Sequence, residues 1–294
     1  MNMACRNYPA CWVLRNQTGL ASFYSAGIPA TGVNSTHANN MKLPPSMLTY
    51  PNSNITEAVI QSFGNTSDFY KITAEVNGPS QKQQNEAVLT THQDFRRQTM
   101  THAADLNSYS QAVASHTDGI QHIPDDGVLS ECTIAAMKLN GQFSTPTMNI
   151  FKLGHTNAAI AAFTGRTNST GTSYDNVVKN VQLLRKAGIP ILAGTDATGS
   201  GMIPGVDVPF GSTLHDELSY LVNEAGLTPA EALRGATSEA AKWHRLHDRG
   251  IIAVGKRADL VLLNSNPLAN ISNTLDIARV WVGGVEVEKV AKLA

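Results

Sequence analysis

Three polar residues close three runs that read as strands. His102 ends Gln98-Thr-Met-Thr, His122 ends Asp118-Gly-Ile-Gln, and Asp196 ends Ile189-Pro-Ile-Leu-Ala-Gly-Thr. Neutral imidazole is the commonest ligand for borderline divalent metals, and a carboxylate beside an activated water can accept its proton. Either histidine alone reads as a polar loop residue, and Asp196 alone as an N-cap for the next segment. Together, at the ends of separate strands, they point to one metal-assisted hydrolytic site. Lys71 adds to them, because it interrupts a run, Asp68-Phe-Tyr-Lys-Ile-Thr-Ala, otherwise suited to burial. A lone buried ammonium is costly, so Lys71 is expected to be paired, deprotonated, or converted by carbon dioxide into an anionic carbamate ligand. The alternative is a strand-end lysine that snorkels to solvent.

The elements that would position these residues alternate in kind. A helix over 56–63, with Thr56 as N-cap, precedes a strand over 68–74. A helix capped by Ser80 precedes a strand over 98–102. Leu106, Tyr109, Ala112 and Val113 share one helical face ahead of the 118–122 run. Ser130 to Leu139 reads as a helix stopped by Asn140-Gly141, and Phe143 to Ile150 as a strand. Val177, Val181 and Leu184 form a further stripe, closed by Gly188 before the buried strand over 189–196. Thr228-Pro-Ala-Glu231 is a capping box with proline at the first helical position, and a short helix follows from Ser238 to Leu246. Such alternation implies parallel strands joined by right-handed crossovers, in a closed barrel or a doubly wound sheet. No Gly-x-Gly-x-x-Gly follows a strand, which weighs against a nucleotide-binding sheet. Polar strand termini favour a barrel, whose chemistry sits at that end. From Gly250 the pattern changes to β-rich runs at 251–253, 258–263 and 278–282, read as a small β appendage.

The remaining composition excludes rather than identifies. The 294 residues carry 22 Lys and Arg against 23 Asp and Glu, so no basic surface draws the chain to nucleic acid or an anionic membrane. No apolar run is long enough for a membrane span, and the N-terminus lacks the pattern of a signal peptide. A cytoplasmic location is favoured, with secretion left open. Cys5, Cys11 and Cys132 are odd in number without Cys-x-x-Cys spacing, and are expected to be buried or idle thiols rather than a disulfide framework. Sequons at Asn16, Asn34, Asn54, Asn65, Asn168 and Asn270 would matter only on secretion.

Several segments resemble the amidohydrolase superfamily, in particular its prolidase- and imidazolonepropionase-like branch. They are Ser67-Asp-Phe-Tyr-Lys-Ile72, Thr99-Met-Thr-His-Ala103, Gly119-Ile-Gln-His-Ile-Pro124, Ile191-Leu-Ala-Gly-Thr-Asp-Ala197 and Gly211-Ser-Thr-Leu-His-Asp-Glu-Leu218. The tail from Asp248 to Leu262, with Gly-Lys-Arg-Ala-Asp-Leu-Val at its centre, is the most specific of them. The resemblance covers the chain from about residue 18. It implies a (β/α)8 TIM-like barrel over 1–248 and a partial β-sandwich appendage over 249–294. It further implies that Lys71 is a carboxylated metal ligand on the fourth strand, that His102 and His122 are ligands on the fifth and sixth, and that Asp196 is ligand and general base on the eighth. His37, in Ser35-Thr-His37, and His215 would be substrate-side residues, with loop exposure and helix capping as the plainer alternatives. The superfamily's opening His-x-His does not occur here. By that comparison the barrel is expected to lack its first strand, with the chain starting inside the second.

The expected activity is metal-dependent hydrolysis of an amide, cyclic amide or similar carbonyl-linked bond. Zinc is the default metal, as one or two ions. A small molecule is the expected partner, and homo-oligomerisation is left open. The alternatives are a catalytically impaired or non-catalytic small-molecule-binding barrel, and a lyase or decarboxylase using the same residues.

Overall fold

Residues 1–166 and 170–288 are described by the structure, a computed structural model. The Asn168 sequon and the end of the 249–294 span lie outside the described residues. Four short strands form a parallel sheet in sequential order: β1 (Tyr70–Thr73), β2 (Thr99–His102), β3 (Gly119–Gln121) and β4 (Phe143–Thr145). The helices α1 (Tyr8–Trp12), α2 (Thr36–Asn40) and α3 (Ile55–Gly64) come before β1. Helices α4 (Gln81–Phe95), α5 (Leu106–Ala114) and α6 (Glu131–Leu139) are the crossovers between successive strands. After β4 come α7 (Met148–Thr156), α8 (Ala158–Phe163) and α9 (Tyr174–Ala187).

Single parallel bridges extend the sheet on both sides. Ala30 pairs with Ile72 beside β1, Asn2 pairs with Ser25 beyond it, and Ile191 pairs with Ser144 beside β4. The regular ladder therefore spans four strands, and a complete eight-stranded closure is not the hydrogen-bond pattern among the described residues. Pro190 explains part of this: the strand expected over 189–196 is an extended segment. The Pro190 carbonyl accepts from the Ser144 N–H, but proline offers no donor of its own.

Register assigns the two faces of the sheet. Lys71 lies opposite Met100, Thr73 opposite His102, and Gly119 opposite Phe143, so these residues share a face. On it Phe69, Met100, Phe143, Leu192 and Ala26 pack into one buried cluster, an apolar floor below the strand ends. Gly119 belongs to that floor, since a Cβ there would lie 2.3 Å from Phe143 Cζ. The opposite face carries Tyr70 and Ile72, packed on Ile55, Val59, Ala87 and Val88 of α3 and α4. A larger core gathers α5, α6, α7, α9 and the later helices around Ile120.

Local signals hold at most helix ends and fail at two. Ser80 and Thr228 make full capping boxes, and Ser130 caps α6. Gly188 ends α9 in the left-handed region. The helix expected from Thr56 begins at Ile55, because Asn54 accepts the Glu57 N–H while the Thr56 hydroxyl donates to Glu86. The strand expected over 143–150 stops at Thr145. Pro146 removes a ladder donor, Thr147 turns left-handed at φ +52°, and Met148 starts α7.

Beyond 196 a hairpin of β5 (Gly199–Ile203) and β6 (Val206–Val208) leads into α10 (Thr213–Asn223), α11 (Pro229–Ala236) and α12 (Ser238–Trp243). A separate antiparallel sheet holds β7 (Leu260–Leu263), β8 (Ile277–Val282) and β9 (Val285–Glu286). Residues 251–253, expected to be β, are irregular. Cys5 and Cys11, expected to be buried or idle thiols, are joined by a disulfide, because the single turn of α1 folds one back over the other. Cys132 is free and exposed.

Candidate active site

β1, β2 and β3 run parallel, so their C-terminal ends open onto one mouth. His102 is the last residue of β2, and His122 follows β3 directly. Their rings meet edge to face with centroids 4.5 Å apart. On the other side of His102, the His37 ring meets it in the same way at 4.3 Å. Lys71, two residues below the end of β1, is only 4% exposed, and His122 only 8%. Asp196 stands at the mouth itself, and solvent reaches it there. His122 and Asp196 both have left-handed backbones, at φ +75° and φ +50°. Non-glycine residues seldom hold that conformation, and it gathers where surrounding structure must aim a side chain.

Electrostatics joins the group. Burial drives the Lys71 amine down to about 7, and the Asp196 carboxylate pulls the other way. Burial raises the Asp196 carboxyl, with Lys71, His37 and Arg166 opposing, and the open mouth tempers that rise. Both imidazoles fall well below the usual histidine range. For His102 burial leads, followed by His37, His122, Lys71 and Arg166; for His122 burial leads, followed by Lys71, His37 and Arg166. Two histidines held neutral and a lysine driven toward its free amine are donors, not cations, which is what a metal ion requires of them.

Neighbours orient these groups. His122 Nδ1 and Thr147 Oγ1 share a hydrogen bond of 2.7 Å, leaving Nε2 as the free ring nitrogen. Glu75 Oε1 accepts from the His37 backbone N–H at 3.2 Å and lies 3.0 Å from His37 Nδ1. Arg166 is held by Asp125, with its Nε 2.5 Å from Oδ2, and its guanidinium lies over Phe151. His155 Nε2 lies 3.2 Å from the same Asp125 oxygen.

Lys71, His102, His122, Asp196 and His37 are thus brought together. His215 lies in the first turn of α10, with its Nδ1 2.9 Å from Thr274 Oγ1. Sequence reasoning missed Thr147, Glu75 and Arg166. Glu75 follows the β1 run by two residues and was in principle detectable as a strand-end carboxylate. Arg166 carried no signal, because it reaches the site from a loop after α8. Among the described residues no three His, Cys, Asp or Glu side chains are set to hold a metal ion.

Comparison with known proteins agrees with this architecture. Residues 55–287 match the model of the Amidohydrolase family. Imidazolonepropionase of Deinococcus deserti is 38% identical over 104 residues, 34% of this chain and 24% of that protein. Ochratoxinase of Aspergillus niger is 32% identical over 115 residues, 37% of this chain and 22% of that protein. The chain thus spans about a quarter of the length of the curated relatives it matches. Among solved structures, an Xaa-Pro dipeptidase with methionine bound in its active site superposes with a TM-score of 0.78 at 21% identity, over 96% of this chain and 72% of that one. A. niger ochratoxinase superposes with a TM-score of 0.70 at 20% identity, over 90% and 65%. At such identities the likeness speaks for the fold alone and implies a TIM-like barrel, of which the regular parallel ladder here comprises four strands.

Proposed function

This chain belongs to the amidohydrolase family, and on that premise we propose that it is a metal-dependent hydrolase of an amide, cyclic amide or similar carbonyl-linked bond. One observation carries the reading: two neutral imidazoles, a lysine driven toward its free amine and a carboxylate converge on one mouth above an apolar floor. The donor set fits a divalent ion, zinc by its mixed nitrogen and oxygen character. His102, His122 and Lys71 would hold it, with Asp196 beside them. When bound, such an ion polarises a carbonyl and makes water acidic enough to attack at neutral pH.

The chain's own residues supply the remainder. Lys71 as free amine can add carbon dioxide, its nitrogen forming the new C–N bond and releasing a proton, to become an anionic oxygen donor. Asp196 takes the proton from the attacking water and returns it to the leaving nitrogen. Thr147 keeps the His122 ring in one orientation. His37, steadied by Glu75, faces the substrate side of His102. In this reading residues 1–248 form the catalytic barrel and 249–294 an appendage.

The test joins metal analysis of the purified chain with hydrolysis of an amide panel, including an Xaa-Pro dipeptide, in oxygen-18 water. A stoichiometric divalent ion, lost in His122→Ala, and labelled carboxylate product are expected. A metal-free chain would overturn the reading in favour of a binding barrel. An unlabelled product would overturn it in favour of a lyase.

A further inference from the structure

α7 begins without a cap of its own. A helix start leaves several backbone N–H groups without intrahelical acceptors, and the side chain at the N-cap position ordinarily takes one of them. Thr147 occupies that position and has a suitable hydroxyl, yet it makes no capping bond to the helix. The hydroxyl is engaged elsewhere, 2.7 Å from His122 Nδ1. The acceptor that α7 lacks comes from another element. The Asn149 N–H donates to Glu217 Oε2 at 2.8 Å, across 68 residues of sequence. The Met148 N–H acts on the same carboxyl.

Glu217 is an unusual residue for a packing role. It lies in the middle of α10 at 0% exposure, where a leucine would fill the α7–α10 contact without burying a polar group. Its second oxygen, Oε1, has no hydrogen-bond partner among the described residues, and neither has the neighbouring Asn149 Nδ2. A buried carboxyl that serves only to join two helices would be a costly joint. Its placement at the start of α7 does something an apolar side chain could not: it satisfies the helix end that Thr147 leaves open.

We propose that Glu217 is a positioning residue for the active site, capping α7 through space so that the Thr147 hydroxyl is free to hold the His122 imidazole. α10 is thereby coupled to the metal-side face of the mouth through a chain of two hydrogen-bonded steps, Glu217 to the first turn of α7 and Thr147 to His122. The inference rests on the reading of His122 as a site residue. Its test observes the imidazole itself, so an inactive or metal-free chain would overturn the hydrolase reading and leave this one standing.

Long-range nitrogen-15 to proton correlation spectra of the histidine rings, recorded on the whole 294-residue chain as purified, report which His122 nitrogen carries the proton and how it is bonded. Thr147→Val should move the His122 ring signals, and Glu217→Leu should move them to the same place. The double variant should show no further shift, because both changes break one chain. Glu217→Gln keeps a carbonyl acceptor for the Asn149 N–H and should leave the signals where they are. A folded Glu217→Leu protein with a lower Tm but unmoved His122 signals would show a purely structural role and overturn the proposal. Shifts that add in the double variant, or a Glu217→Gln spectrum like that of Glu217→Leu, would also overturn it. Should Glu217→Leu not fold, Glu217→Asp draws the carboxyl group back by one methylene. It should shift the His122 signals part of the way toward those of Thr147→Val, and signals at their original positions would refute the coupling.

Discussion

Lys71 is the residue whose chemistry depends most on its surroundings. At 4% exposure, with an amine driven down to about 7 by burial, it is substantially a free base near neutral pH. A free amine is nucleophilic toward carbon dioxide, and an ammonium is not. Supplying carbon-13 bicarbonate with a divalent metal should therefore add one lysine-carbamate carbon signal to the spectrum, absent in Lys71→Met. That variant should also retain less metal than the parent chain. A parent spectrum without the signal would remove the carbamate from the mechanism. The unusual position of Lys71 is legible in sequence, as a lysine inside an apolar run. Its free-base character is not, because it arises from atoms contributed by strands far apart in the chain.

At the scale of elements, the strands place donors by alternation. Phe69, Lys71 and Thr73 point to one face while Tyr70 and Ile72 point to the other, so the same strand supplies both the floor and the site. Gly119 shows how tightly that floor is filled. A methyl group there would lie 2.3 Å from Phe143 Cζ and 2.7 Å from Met100 Sδ. Gly119→Ala should lower stability by about 1–3 kcal/mol, as overpacking of a dense core does. Urea unfolding measures it, and an unchanged midpoint would show that Phe143 can yield. Helix ends such as Ser80, Ser130, Gly188 and Thr228 were readable because their capping partners lie within a few residues. The end of β4 and the start of α7 were misread over 146–150, because the cap that licenses a helix there is Glu217, on a distant element.

For the whole molecule, two buried groups shape the dependence of stability on pH. Burial raises the Glu217 carboxyl from 4.5 to about 8, against the N–H groups of Asn149 and Met148. A raised folded pKa gives stability that is complete below the unfolded value and is lost as pH rises through the folded one. Lys71 behaves in the opposite sense: lowered from 10.5 to about 7, its contribution is complete above 10.5 and lost as pH falls through 7. Metal-free protein in carbonate-free buffer should thus be least stable near neutrality, between about pH 7 and about 8. Glu217→Gln should flatten the acid limb of the profile and Lys71→Met the alkaline limb. A urea-midpoint profile without a minimum near neutrality would show that other groups dominate.

The sequence by itself determined the alternation of helices and strands, the polar residues that end those strands and the segments resembling the amidohydrolases. Each depends on residues near one another in the chain: capping pairs, apolar periods, strand-terminal histidines. Tertiary structure alone decided that His37 joins His102 and His122 while His215 turns to Thr274. It alone brought Arg166 within reach of the site and turned Thr147 from capping its helix to holding an imidazole. The physical reason is common to these cases. A side chain's orientation and charge state depend on the atoms packed around it, and most of those atoms come from elements tens of residues away.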